Sequence, residues 1–103
     1  MPVRTKEEIF TLLREYQPEL RRLGVRRWGV FGSFVRNIST DHSDVDLLVE
    51  FDPGEKTFDH FMQLAFLLED VLGRKVDLLT TESLSPHIGP HILQEVVYAT
   101  DGS

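Results

Sequence analysis

Two acidic residues interrupt an apolar run in the segment Ser43-Asp44-Val45-Asp46-Leu47-Leu48-Val49. The apolar and β-branched residues of this run predict a strand with sheet neighbours on both of its faces. An Asp is a poor strand former, and its charge is costly to bury unless it is paired or bound to a metal. Asp44 and Asp46 point to the same side of such a strand, roughly 6–7 Å apart, and can share one divalent cation.

Part of this segment occurs twice, since Val45-Asp46-Leu47-Leu48 is followed later by Val76-Asp77-Leu78-Leu79. We predict a third strand over Lys75–Thr80, joined to the earlier Asp-bearing strand by a helix over about Thr57–Leu72. If that helix is a right-handed crossover, the two strands lie side by side and Asp77 joins the same cluster. Oxygen ligands without Cys suit Mg²⁺ or Mn²⁺ with open positions for phosphate oxygens, which points to phosphoryl-transfer chemistry.

Each of these carboxylates also has a purely structural explanation. Asp44 can cap a turn, and Asp46 and Asp77 can pair with surface Lys or Arg at the ends of strands. For any single one of them this explanation is as good as metal binding. It is much weaker for all three together beside a Gly-Ser turn.

A Gly-Ser pair follows the first predicted strand, Arg27–Phe31. Gly32 lets the backbone approach a ligand closely, and Ser33 begins a predicted short helix to about Asn37, whose free N–H groups face an anion placed there. Arg36 lies on the same face as Ser33 and can reach a phosphate or a carboxylate. Such a pair is by itself more often a turn with a helix cap, and it gains weight from the carboxylates about a dozen residues later.

Helical patterns surround these strands. A capping box opens an amphipathic helix over Thr5–Gly24, with a restart or kink at Pro18. Pro86 or Pro90 can open a last helix through Glu95, after which the chain continues the helix or forms a terminal strand. The predicted fold class is α/β (α+β), with a small mixed three- to four-stranded sheet flanked by helices in the order αβαβαβα.

Length and composition set the limits of the prediction. The 103 residues suit a single domain over 1–103, with a frayed tail at 100–103. Eleven Lys and Arg against seventeen Asp and Glu give a net charge of -6, which disfavours a nucleic-acid substrate and suits cations or a basic protein partner. The absence of Cys excludes disulfides, Cys-based zinc sites and thiol nucleophiles. No apolar run reaches the ~20 residues of a membrane span, so we expect a soluble cytoplasmic protein without membrane contact.

The chain closely resembles the polymerase β-type nucleotidyltransferase superfamily. Its GSxxR…SDxDLLV signature is matched by Gly32-Ser33-Phe34-Val35-Arg36 and then by Ser43-Asp44-Val45-Asp46-Leu47-Leu48-Val49. The short length and the later Val76-Asp77-Leu78-Leu79 look like the minimal nucleotidyltransferase (MNT) group, over about Thr5–Tyr98. One departure is Asn37, where many relatives have Gly, although Asn also tolerates left-handed backbone.

This resemblance implies a role for each motif residue. Asp44 and Asp46 match the two metal-binding Asp residues of the family, and Asp77 matches its third carboxylate. We therefore expect two Mg²⁺ ions as cofactors and a nucleotide triphosphate, ATP, as substrate. The predicted site residues are Asp44, Asp46 and Asp77 for catalysis and metal binding, with Gly32, Ser33 and Arg36 for the triphosphate.

The resemblance also implies a partner. MNT proteins resemble antitoxins paired with HEPN-family ribonuclease toxins, some of which are neutralised when the MNT protein transfers AMP from ATP onto a toxin tyrosine. We therefore expect AMP transfer to a hydroxyl, a HEPN-type toxin as partner and a hetero-oligomer. Three alternatives stay open: a binding module that masks a toxin by contact, a metal or nucleotide sensor without transfer, and a transferase that acts on a small molecule or an RNA end.

Overall fold

The structure is a computed structural model that describes residues 2–99. Its centre is a sheet of four strands, which are β1 (Val25–Phe31), β2 (Val45–Phe51), β3 (Val76–Thr80) and β4 (Val97–Tyr98). The spatial order is β3-β2-β1-β4. β2 runs parallel to β3 and antiparallel to β1, and β4 is antiparallel to β1. The predicted mixed sheet is therefore confirmed, as is the predicted pairing of the two Asp-bearing strands.

Within residues 2–99 the sheet is flanked by the helices α1 (Lys6–Glu15), α2 (Gln17–Arg22), α3 (Phe58–Leu72) and α4 (Gly89–Glu95). The predicted first helix is two helices, because the chain breaks at Tyr16 and Pro18 lies in the first turn of α2. Pro90 occupies the first turn of α4, whereas Pro86 precedes that helix. Thr57 caps α3 at its N-terminus, as expected for a helix that begins after a polar residue.

The sheet buries apolar side chains on both faces. α1, α2 and α3 pack on one face, where Leu47 of β2 and Leu68 of α3 belong to the main core. α4 covers part of the other face, where Ile92 clusters with Phe31 and Leu48. Because strand side chains alternate, the Asp side chains of β2 and β3 lie on this second face, close to the end of α4.

Two strands begin at residues other than the predicted ones. β1 begins at Val25, two residues earlier than predicted, and β3 begins at Val76 rather than at Lys75. Of the two predicted continuations after α4, a longer helix or a terminal strand, the chain forms the strand, β4, which pairs with β1. The predicted frayed tail at 100–103 lies outside the described residues. Across residues 2–99 no helix combines the length and the apolar character needed to cross a bilayer.

Candidate active site

The strand register brings the two halves of the sequence motif together. Asp46 pairs with Asp77 across the parallel strands β2 and β3, and Phe31 pairs with Asp46 across the antiparallel strands β1 and β2. Gly32 directly follows Phe31, and Asp44 lies one residue before β2. We call the part of the sheet that carries the three carboxylates Asp44, Asp46 and Asp77 its acidic end.

Gly32 stands in direct contact with the acidic end. A side-chain carbon at Gly32 would overlap the carboxylate of Asp46. Its backbone also has a φ of 78°, which favours glycine. The predicted proximity of the Gly-Ser turn to Asp46 is therefore present in the structure, and no residue other than glycine fits there without displacement.

The helix predicted from Ser33 to about Asn37 is not formed. The chain makes a single 3₁₀ turn over Gly32–Phe34, and the N–H groups of Val35 and Arg36 both donate to the carbonyl of Gly32 at 3.1 Å. Asn37 then takes a φ of 60°, so the helical geometry ends. One turn has too few aligned peptides for a helix dipole, and any anion binding here depends on individual N–H groups and side chains.

Glu95, which the sequence did not single out, reaches this turn from the end of α4. The Gly32 N–H donates to its Oε1 at 2.6 Å, and the Arg36 Nε lies 3.7 Å from the same oxygen. Gly32 and Glu95 are 63 residues apart in the sequence, so no local sequence pattern predicts their contact. Arg36, for which the sequence allows a phosphate or a carboxylate, therefore lies beside the Glu95 carboxylate.

Asp46 is the electrostatic centre of the acidic end. Its pKa is raised from the ordinary 3.8 to about 6, first by burial and then by the negative charges of Asp77, Asp44 and Glu95. The positive charge of Arg36 acts in the opposite direction. The positive charge near Asp46 is therefore too small to offset the cost of ionising this carboxylate.

The acidic end fits a hard divalent cation by its chemistry. Its donors are carboxylate oxygens, and a cation would relieve the mutual repulsion that raises the pKa of Asp46. Within residues 2–99, however, no three His, Cys, Asp or Glu side chains stand in the arrangement of a preformed metal site. Asp44 and Asp77 lie close enough to act on the charge of Asp46, and their own side chains are exposed to water.

Arg74 anchors the loop that leads into Asp44. Its Nε donates to the carbonyl of Val3 at 2.7 Å, and one terminal nitrogen donates to the carbonyl of Ser43 at 3.0 Å. The same nitrogen lies 3.1 Å from the carbonyls of residues 40 and 41, and the guanidinium stacks over the ring of Phe34, 5.3 Å from its centre. One side chain thus ties the Gly-Ser turn to the loop before β2. No sequence pattern around Arg74 predicts this role.

A separate cavity of about 490 Å³ lies away from the acidic end. It is formed by α2 and the start of β1, with Arg26, Trp28 and Glu50 among its lining residues. None of the six predicted site residues lines it. Volume alone therefore does not locate the candidate active site, which rests on the register of the motif residues.

The family model described as a nucleotidyltransferase domain matches residues 13–99 of the chain. This match spans both parts of the motif and the strand that carries Asp77. The chain belongs to the nucleotidyltransferase family. The resemblance found in the sequence is therefore confirmed, and the acidic end with the Gly-Ser turn is the corresponding candidate site.

Curated and solved relatives of this nucleotidyltransferase agree with that assignment. The protein adenylyltransferase MntA of Thermococcus cleftensis is 44% identical over 99 residues, which cover 95% of this chain and 99% of the relative. A solved structure assigned as a minimal nucleotidyltransferase superposes with a TM-score of 0.78 at 31% identity, covering 91% of this chain and 95% of the other.

A more distant structure shares the fold of this nucleotidyltransferase. It is the complex of a tri-AMPylated HEPN toxin with an MNT antitoxin from Shewanella oneidensis, with a TM-score of 0.61 and 19% identity. The likeness covers 84% of this chain and 67% of the matched one. At this identity the comparison establishes the fold.

Proposed function

We propose that this nucleotidyltransferase transfers AMP from ATP to a hydroxyl group of a HEPN-type toxin, a tyrosine hydroxyl in particular, and thereby acts as its antitoxin. The observation that carries the proposal is the register that places Gly32, Asp46 and Asp77 side by side. The name of the Thermococcus relative and the tri-AMPylated toxin of the Shewanella complex support the choice of AMP and of a protein acceptor.

The acidic end would hold the cofactor. Asp44, Asp46 and Asp77 are the residues that would bind Mg²⁺, with two ions as the proposed number. Bound there, Mg²⁺ would neutralise charge on the triphosphate and favour ionisation of the acceptor hydroxyl. The carboxylates therefore have to be ionised for binding, and protonation of Asp46, whose pKa is raised to about 6 in the metal-free protein, would compete with Mg²⁺.

The Gly-Ser turn would hold the triphosphate. The N–H groups of Gly32 and Ser33, the Ser33 hydroxyl and the Arg36 guanidinium are the donors for the β- and γ-phosphates. The acceptor oxygen forms a bond to the α-phosphorus while the bond to the leaving pyrophosphate breaks, so AMP remains on the acceptor. This chain's part in that step is to orient the phosphates beside the acidic end.

The acceptor would come from another protein. The net charge of -6 suits a partner with a basic surface. We therefore propose a hetero-oligomer with the toxin, in the cytoplasm. A hydroxyl on the toxin would enter the acidic end when the two proteins associate.

Label transfer tests this function. The protein is incubated with α-labelled ATP, Mg²⁺ and the product of the neighbouring gene, in parallel with the double variant Asp44→Asn/Asp46→Asn. We expect label on the partner with the wild type and a loss of roughly a thousandfold in rate with the variant, about 4 kcal/mol of transition-state stabilisation.

The matched control is Asp59→Asn/Asp70→Asn, which removes the same charge from exposed positions on α3 and should transfer label at the wild-type rate. Neutralisation of the partner without any label transfer by the wild type would overturn the proposal. It would favour an antitoxin that masks its toxin by contact.

A further inference from the structure

Glu95 already occupies the donors that the proposed triphosphate would use. Its Oε1 accepts from the Gly32 N–H at 2.6 Å, a short, charge-assisted hydrogen bond. The Arg36 Nε lies 3.7 Å from the same oxygen. A carboxylate oxygen and a phosphate oxygen are both anionic acceptors. The Glu95 carboxylate and the triphosphate would therefore compete for the same donors.

The charges at this end of the molecule make joint occupancy costly. Asp46, Asp77, Asp44 and Glu95 already repel one another, and Arg36 is the cation that acts on Asp46 against them. A triphosphate adds several negative charges beside Gly32. Glu95 and the phosphates would then repel each other at contact distance, where the surrounding protein screens charge less than bulk water does.

Glu95 is placed so that it can leave without unfolding its element. It is the last residue of α4, whose attachment to the sheet comes from the buried Ile92 rather than from Glu95. About a quarter of its side chain, 26%, is exposed, so rotation about its side-chain bonds can carry the carboxylate into water. Displacement therefore needs only a change of rotamer.

We propose that Glu95 is an intramolecular competitor of the triphosphate, which holds the Gly32 N–H and Arg36 until the nucleotide displaces it. The inference rests on the proposed function, since it concerns the same substrate and the same turn. It assigns to α4 a direct influence on nucleotide affinity. The opposite role is that Glu95 positions the Gly-Ser turn for the nucleotide, and the two roles predict opposite changes in affinity.

Binding measurements separate these roles. The affinity of a non-hydrolysable ATP analogue in the presence of Mg²⁺ is measured by calorimetry for the wild type, Glu95→Gln and Glu95→Ala. We expect both variants to bind the analogue more tightly, by roughly tenfold, because each removes the competing charge. Glu95→Ala also removes the acceptor, so a positioning role would weaken binding in that variant.

The matched control is Glu50→Gln. Glu50 also has a side chain that is 26% exposed, and it pairs with Arg27 at 3.1 Å on the part of β2 remote from Asp46. Glu50→Gln changes the net charge by the same amount as Glu95→Gln and should leave the affinity for the ATP analogue unchanged. The amide proton of Gly32 gives a second readout by NMR, since Glu95→Ala and the bound analogue should each move its resonance away from the wild-type position.

Unchanged or weaker binding by Glu95→Gln, with the wild type binding normally, overturns the inference and leaves the proposed function intact. An equal gain in affinity with Glu50→Gln also overturns it, because the effect would then be one of net charge. Failure of every protein to bind the analogue would overturn the inference and the proposed function together.

Discussion

Gly32 meets two requirements that favour glycine: its backbone φ is 78°, and the Asp46 carboxylate occupies the place where a side-chain carbon would stand. Gly54 meets only the first, since its φ is 80° and no atom lies within 4 Å of the place where a side-chain carbon would stand. The two glycines therefore allow the contact with Asp46 to be separated from the strain of the backbone.

We expect Gly54→Ala to lower the free energy of unfolding by about 1–2 kcal/mol, the cost of left-handed backbone alone. Gly32→Ala should cost clearly more and should abolish nucleotidyl transfer, because the new methyl group displaces Asp46. Urea unfolding and the label-transfer assay measure the two effects. Equal destabilisation by the two substitutions, with transfer retained in Gly32→Ala, would contradict this account of the turn.

At the scale of elements, the loop before β2 owes its position to Arg74. This side chain bonds backbone carbonyls at Val3 and in the segment 40–43, and it stacks on Phe34. The loop itself has few apolar residues to bury, so these bonds are its main tie to the core. Asp44 follows the loop directly, and its placement depends on the same tie.

We expect Arg74→Lys to lower the free energy of unfolding by about 1–3 kcal/mol, because an ammonium cannot replace the forked set of bonds, which includes the part-buried carbonyls of Val3 and Ser43. Transfer activity should fall as well, through weaker Mg²⁺ binding at Asp44, and excess Mg²⁺ should restore part of it. Arg14→Lys, at an exposed position of α1, is the control. A stability loss without any change in Mg²⁺ dependence would show that Arg74 does not position Asp44.

At the scale of the whole molecule, the sequence predicts what depends on local pattern. The strand from Val45, the crossover helix and the pairing of Asp46 with Asp77 follow from periodicity, from the repeated motif and from the rule for parallel strands. These signals are contained in short windows of sequence. They therefore predicted the mixed sheet and the neighbourhood of Gly32 and Asp46 correctly.

The sequence could not predict contacts that only the assembled fold creates. Glu95 meets Gly32 because α4 crosses the sheet face at that point, and Arg74 finds its acceptors in two separate segments, at Val3 and at 40–43. The short helix after Ser33 was wrongly predicted because the left-handed backbone of Asn37 and the tight turn at Gly32 prevail over helix propensity.

The acidic end should lower the free energy of unfolding of the whole molecule at neutral pH when no divalent cation is bound. The pKa of Asp46 is raised in the folded state to about 6 from 3.8, so the folded state holds its proton more strongly. The stability that this proton contributes is complete below about pH 4 and is lost as pH rises through 6.

Asp46→Asn should therefore be more stable than the wild type at pH 7.5, by about 1–2 kcal/mol after allowance for partial exposure, and equal to it near pH 4. Mg²⁺ should raise the Tm of the wild type more than that of the variant, since the variant lacks one of the three carboxylates whose repulsion the cation relieves. Thermal unfolding at both pH values, with exposed Asp70→Asn as the control, measures these differences. An Asp46→Asn protein that is less stable than the wild type at pH 7.5 without Mg²⁺ would refute the claim that this end of the sheet is under electrostatic strain.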